Sequence, residues 1–207
     1  AADSSARRYL WVRSLNALSA TMLAGTEGAQ DPFWSPDNRF IGFFAGSKLK
    51  KVEAMGGPPF TVCDVVSPRG GSWSQEGLIA FAPDQYTGIF LVSEGGGVPS
   101  EVTARDTTRG RTRRWPFFLP DAKHFLYLVR TSLGGSGSGV DGIYVASLDG
   151  KVNKRLGPGV SNVAYAAGHL LYIRENSLMA HAFDPGALEL KGDPFPLVES
   201  VEFNARF

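Results

Sequence analysis

Five arginines fall within ten residues of this 207-residue chain, in Arg105-Asp106-Thr107-Thr108-Arg109-Gly110-Arg111-Thr112-Arg113-Arg114, although the formal net charge is only +1. A guanidinium presents a planar fork of donors that matches carboxylates and phosphates. The run reads as a connector between one group of strands and the next, and Arg69, Arg130 and Arg174 map to the same face of the fold it implies. The expected site is therefore an anion-binding loop face made by Arg69, Arg105, Arg109, Arg111, Arg113, Arg114, Arg130 and Arg174. Its ligand would be a carboxylate, a phosphate or an acidic peptide. The competing reading is a solvated loop whose arginines pair with Asp106, Asp141 and Glu175 or stack on Trp115. A nucleic-acid partner is not expected, because the run is short and no exposed aromatic pattern accompanies it.

The other reactive residue types point away from catalysis. Asp37 and Asp121 follow Ser-Pro and Leu-Pro, where a carboxylate caps a turn through backbone N–H groups. His124 and His169 open equivalent strands in different repeats, which separates them, and His181 stands apart from both, so no shared metal is expected. Leu133-Gly134-Gly135-Ser136-Gly137-Ser138-Gly139 lacks the Gly-Lys-Ser/Thr ending of a phosphate loop and reads as a hairpin insertion. Cys63 is the single cysteine, which excludes an internal disulfide and a cysteine-based metal site. No catalytic residue, metal or cofactor is assigned.

What must position these residues is a repeated sheet. Asp31 to Asp64 reads as four short strands, Pro32–Trp34, Arg39–Phe44, Lys48–Glu53 and Pro59–Cys63, separated by turns at Ser35-Pro36-Asp37-Asn38, Ala45-Gly46-Ser47 and Met55-Gly56-Gly57-Pro58. Comparable units occupy 71–104, 115–157 and 163–199. Residues 8–25 resemble half a unit, and 201–207 the start of another. Trp34, Trp73, Phe118 and Tyr165 recur at spacings of 39, 45 and 47 residues. Four strands at such a period predict the blades of a β-propeller, because one blade cannot cover both of its apolar faces and stacking does so. The fold class is all-β, a partial or five-bladed propeller with four complete antiparallel blades. The repeated aromatic residues, together with Trp11, are expected in the core. The two terminal pieces are expected either to close the ring as a makeshift blade or to leave edges that pair with a second copy.

Trp34-Ser35-Pro36-Asp37-Asn38-Arg39-Phe40-Ile41-Gly42-Phe43 and Phe118-Leu119-Pro120-Asp121-Ala122-Lys123-His124-Phe125 resemble the WD40-like (PD40) repeat of TolB-type β-propellers. Trp11-Val12-Arg13-Ser14-Leu15, Gly56-Gly57-Pro58-Pro59, Arg114 to Asp121 and Gly168-His169-Leu170-Leu171-Tyr172 look like the C-terminal sensor propellers of bacterial serine/threonine protein kinases. Gln75-Glu76-Gly77 and Ala166-Ala167-Gly168 depart from the turn motif. None of a kinase's own motifs is present. The resemblance implies a non-catalytic ligand- or protein-binding module, a sensor or scaffold within a larger bacterial signalling protein such as a serine/threonine kinase. It would be extracytoplasmic or periplasmic if that protein is a membrane-anchored sensor. The alternative is the accessory propeller of a hydrolase or peptidase. No apolar run is long enough to cross a bilayer as a helix.

Overall fold

The computed structural model describes residues 8–84, 86–103, 111–131 and 140–202. Every regular element among them is a β-strand. The first blade comprises β3 (Gln30–Trp34), β4 (Phe40–Ala45), β5 (Lys48–Glu53) and β6 (Phe60–Asp64). The second comprises β7 (Gly71–Trp73), β8 (Leu78–Phe81), β9 (Phe90–Ser93) and β10 (Ser100–Glu101). The third comprises β11 (Arg111–Phe118), β12 (His124–Thr131), β13 (Gly142–Ser147) and β14 (Asn153–Gly157). The fourth comprises β15 (Ala164–Ala166), β16 (His169–Arg174), β17 (Ser177–Asp184) and β18 (Glu189–Val198). Each is an antiparallel meander in chain order, preceded by a hairpin of β1 (Trp11–Val12) and β2 (Thr21–Met22). The all-β partial propeller expected from the repeats is what forms.

The turn between the first two strands of a blade recurs with one geometry. Asn38, Gly77 and Ala122 take positive φ at equivalent places, and their N–H groups donate to the carbonyls of Ser35, Ser74 and Leu119. In the first blade the buried Ser35 hydroxyl donates to Asp37 at 2.6 Å and accepts the Phe40 N–H at 2.8 Å. The Ser35 hydroxyl, followed by the Arg39 N–H, holds the Asp37 carboxyl below the usual carboxylate range. Asp37 and Asp121 are therefore turn caps, as their positions implied. Ser35→Ala removes the acceptor of the Phe40 N–H inside the blade. The expected cost is about 0.5–1.5 kcal/mol, the net worth of one hydrogen bond at a partly buried donor, read as a lower urea midpoint.

Stability comes from burial between blades. Phe44, Leu49 and Val62 of the first blade meet Trp73, Ile79 and Phe81 of the second. Ala80, Ala82 and Ile89 meet Phe118, Phe125 and Tyr127 of the third. Leu126, Leu128 and Val145 meet Leu170, Tyr172 and Met179 of the fourth. Hairpin β1–β2 packs on the other face of the first blade, with Leu10 and Leu23 against Ile41 and Phe43. No hydrogen bond or hydrophobic cluster joins that hairpin to the fourth blade among the described residues. Val201 instead donates to Asn176 within the fourth blade's own turn.

Two expectations need correction. Trp34 is 49 % exposed and Trp11 62 % exposed, so neither is a core residue. Trp11 lies on a hairpin packed against the first blade, and Trp34 has, among the described residues, no ring contact of the kind that Phe33 and Phe40 of the preceding blade give Trp73. The arginine run is also not wholly a connector. Arg111 to Arg114 belong to β11 and pair in register with Thr131 to Leu128 of β12. The eight-residue β12 offers a long ladder, and pairing with it overrides the weak strand propensity of four polar residues.

Candidate functional site

The first strands β3, β7 and β11 run side by side along the axis. Their N-terminal ends gather the arginine chemistry. Arg69 stands in the link from β6 to β7 and is fixed by its backbone: its N–H donates to Ala82 at 3.0 Å, and its carbonyl accepts the Trp115 N–H at 2.8 Å. The next residue, Gly70, is buried with φ +85°. The Trp115 ring rests where a side chain at Gly70 would project, 2.6 Å from an ideal Cβ. Second and third blades are thereby stapled together at the place from which Arg69 and Arg114 project.

Arg114 lies just above a break in register between Arg114 and Phe117, where Trp115 takes φ +50° and Pro116 needs no ladder donor. Its Nε donates to the Thr112 hydroxyl at 3.0 Å, and its guanidinium carbon lies 5.9 Å from the Trp115 ring centroid. Thr112 in turn faces Arg130 in register and donates to the Arg130 carbonyl at 3.2 Å. Burial lowers the Arg114 pKa, and the neighbouring positive charges of Arg69 and Arg130 lower it further. The charges of Arg69, in the second blade's entry, and of Arg130 thus act on Arg114 of the third blade. Asp31, at the N-terminal end of β3, joins them. Burial raises its pKa, opposed by Arg69 and by a hydrogen bond from the Gly70 N–H.

Of the eight arginines proposed from sequence, Arg69 and Arg130 are the two whose charges act on Arg114. Arg113 does not face this site. It is buried beside Tyr127 between the second and third blades, where burial pushes the Tyr127 hydroxyl up to about 12 against the lowering effect of Arg113. Arg111 is half-buried opposite Thr131. Arg174 is exposed at the end of β16, next to Tyr172, and is not among the charges acting on Arg114. Arg105 and Arg109, like the glycine-rich stretch 133–139, lie outside the described residues. Sequence reasoning missed Asp31, which read only as the boundary of a unit. The left-handed backbone it adopts, φ +44°, leaves no mark in the sequence.

The arrangement can hold an anion by charge-assisted hydrogen bonds. It does not bring a histidine to the arginines. His124 opens β12, whereas Arg130 stands next to its far end, and the His124 ring meets the Asp121 carboxylate at 2.6 Å. His169 contacts the Ala167 carbonyl, and His181 the Gly192 carbonyl. No cluster of three or more His, Cys, Asp or Glu suited to a metal ion occurs among the described residues.

No family model matches this sequence, and no curated protein matches it. Solved structures do match. A putative TolB from Agrobacterium tumefaciens is 16% identical, with 92% of this chain and 73% of that one covered at a TM-score of 0.68. TolB from Acinetobacter baumannii is 13% identical over 86% of this chain and 46% of its own, with a TM-score of 0.65. A luciferin-regenerating enzyme is 12% identical over 83% and 60%, with a TM-score of 0.59. The chain thus spans about half the length of the Acinetobacter protein. At these identities the likeness establishes the fold, and that fold carries enzymes as well as other proteins. The kinase-sensor resemblance has no counterpart among these three structures.

Proposed function

We propose that this TolB-like β-propeller is a non-enzymatic binding module that takes an anionic group, a carboxylate or a phosphate, at the end of the axis bordered by Arg69, Arg114 and Arg130. The observation that carries the reading is the backbone bond from Trp115 to Arg69, which ties Arg69 to the strand of Arg114, together with the action of the Arg69 and Arg130 charges on Arg114 in a chain of nearly zero net charge. Like charges brought together at half-buried positions repel one another. An anion between them converts that repulsion into charge-assisted hydrogen bonds. Asp31 offsets part of the charge beside Arg69 and sets the orientation from which a ligand carboxylate approaches. Within a larger bacterial protein, such a module would serve as a sensor or scaffold.

An enzymatic propeller is the second reading, favoured by the match to the luciferin-regenerating enzyme. It requires a general base or nucleophile at the same site, and Asp31, on which the Arg69 charge acts, is the carboxylate that would serve.

Calorimetric titration with citrate tests the proposal. Citrate is expected to bind with an affinity that falls as salt rises. Arg69→Ser, Arg114→Ser and Arg130→Ser combined are expected to weaken it by about tenfold or more, since one hydrogen bond to a charged group is worth about 1.5–3 kcal/mol. Equal affinity and an equal salt slope in the triple variant would remove the reading.

A further inference from the structure

At the opposite end of the same first strands, the repeated aromatic residues do something the repeat alone does not require. Trp34 ends β3, Trp73 ends β7, Phe118 ends β11 and Tyr165 lies in β15, and all four line one cavity of about 520 Å³. That volume is within the roughly 300–1,000 Å³ range of small-molecule sites. Trp73 and Phe118 are buried and form fixed walls, whereas Trp34 is half exposed. Trp73 is held further by its indole N–H, which donates to Glu94 at 2.8 Å.

Among the described residues, no Lys, Arg, Asp, Glu or His side chain lines the cavity. The polar side chains that line it are uncharged, and Asp37, Arg39 and Glu76 of the same turns line the adjoining concavity instead. Asn38 and Gln75 occupy the exposed turns after β3 and β7. Their side-chain amides make no hydrogen bond to protein among the described residues. Each amide offers a donor and an acceptor, a pairing that matches a hydroxyl group, which also gives and receives. The aromatic floor offers flat apolar faces.

We propose that this cup is a second binding site, for an uncharged saccharide of about disaccharide size. The apolar C–H face of a pyranose ring would stack on the Trp34 indole, and ring hydroxyls would bond the Asn38 and Gln75 amides. Lack of charge disfavours ionic ligands, because nothing in the wall compensates their lost hydration. A proline-rich peptide, which also favours aromatic surfaces, docks in a groove along its extended helix. This cavity is instead a cup walled from four blades. The site is separate from the arginines: Arg69 precedes β7, Arg114 lies in the first half of β11, and Arg130 lies beside the C-terminal end of the antiparallel β12.

The test is calorimetry and saturation-transfer NMR with maltose, cellobiose and N,N′-diacetylchitobiose, alongside an oligoproline peptide. At least one disaccharide is expected to bind, and Trp34→Leu, which keeps apolar bulk without a flat face, is expected to weaken it about tenfold. Gln75→Ala, an exposed turn substitution that spares the core, is expected to weaken it several-fold, with an unchanged thermal midpoint. Failure of all three disaccharides to bind overturns the proposal. So does binding indifferent to both substitutions, or binding of the peptide alone.

Discussion

Phe125→Ala is expected to destabilise the protein by about 3–5 kcal/mol, which is the usual cost of emptying a fully buried aromatic site. Phe125 has no exposed surface. Its ring centroid lies 6.2 Å from that of Phe118 and 5.9 Å from that of Tyr127, and its cluster includes Ala80, Ala82 and Ile89 of the preceding blade. The loss therefore falls at the junction of the second and third blades. In a stacked fold each blade depends mainly on its neighbours, so weakening one junction uncouples the two halves. Urea unfolding followed by tryptophan emission is expected to show a lower midpoint and a broader or two-step transition. Met55→Ala, at a side chain almost wholly in solvent, is the matched control and is expected to change stability by no more than about 0.5 kcal/mol. A Phe125→Ala protein as stable as that control would contradict the stacking account.

Gly70→Ala is expected to damage both stability and the arginine site. An added Cβ would stand 2.6 Å from the Trp115 Cδ1 and 3.1 Å from the Trp115 Cα, and φ +85° is a conformation that an L side chain rarely adopts. Strain of about 1–2 kcal/mol from the left-handed backbone adds to about 1–3 kcal/mol from overpacking. The Trp115 backbone cannot yield without breaking its N–H bond to the Arg69 carbonyl, which sets the spacing of Arg69 and Arg114. A lower melting temperature accompanied by weaker citrate binding is the expected pair of results. Loss of stability with citrate binding intact would show that the staple does not position the arginines.

The blades were legible because turns and apolar strands alternate plainly. Ser35-Pro36-Asp37-Asn38, Gly56-Gly57-Pro58 and Asp149-Gly150 each fall between strands, as their residue types require. Strands whose pairing is set by a distant partner were less legible. Arg111-Thr112-Arg113-Arg114 carries no strand signal of its own and forms a strand because β12 offers the ladder. Likewise Glu189 to Pro194 looks like a loop, yet it belongs to β18, with two register breaks against β17. The site was half legible. Arginine composition marked the candidate residues, and blade order placed Arg69 and Arg130 on one face. Which way each strand arginine points depends on the period-two alternation of β11, and that could not be applied to a stretch read as a loop. The alternation sends Arg113 between the blades. Trp34 and Trp73 share a repeat position, but only Trp73 is covered. Trp73 is covered by Phe33 and Phe40 of the preceding blade, and spacing does not record which neighbours a strand end meets.

The existence of one anion site at Arg69, Arg114 and Arg130 is decided by arginine side-chain Nε–Hε NMR during a citrate titration, since it reads each guanidinium separately. The resonances of Arg69, Arg114 and Arg130 are expected to move together along one binding curve, while those of Arg155 and Arg174 stay in place. A uniform drift of all the arginines with ionic strength, or a response centred on Arg174, would contradict it.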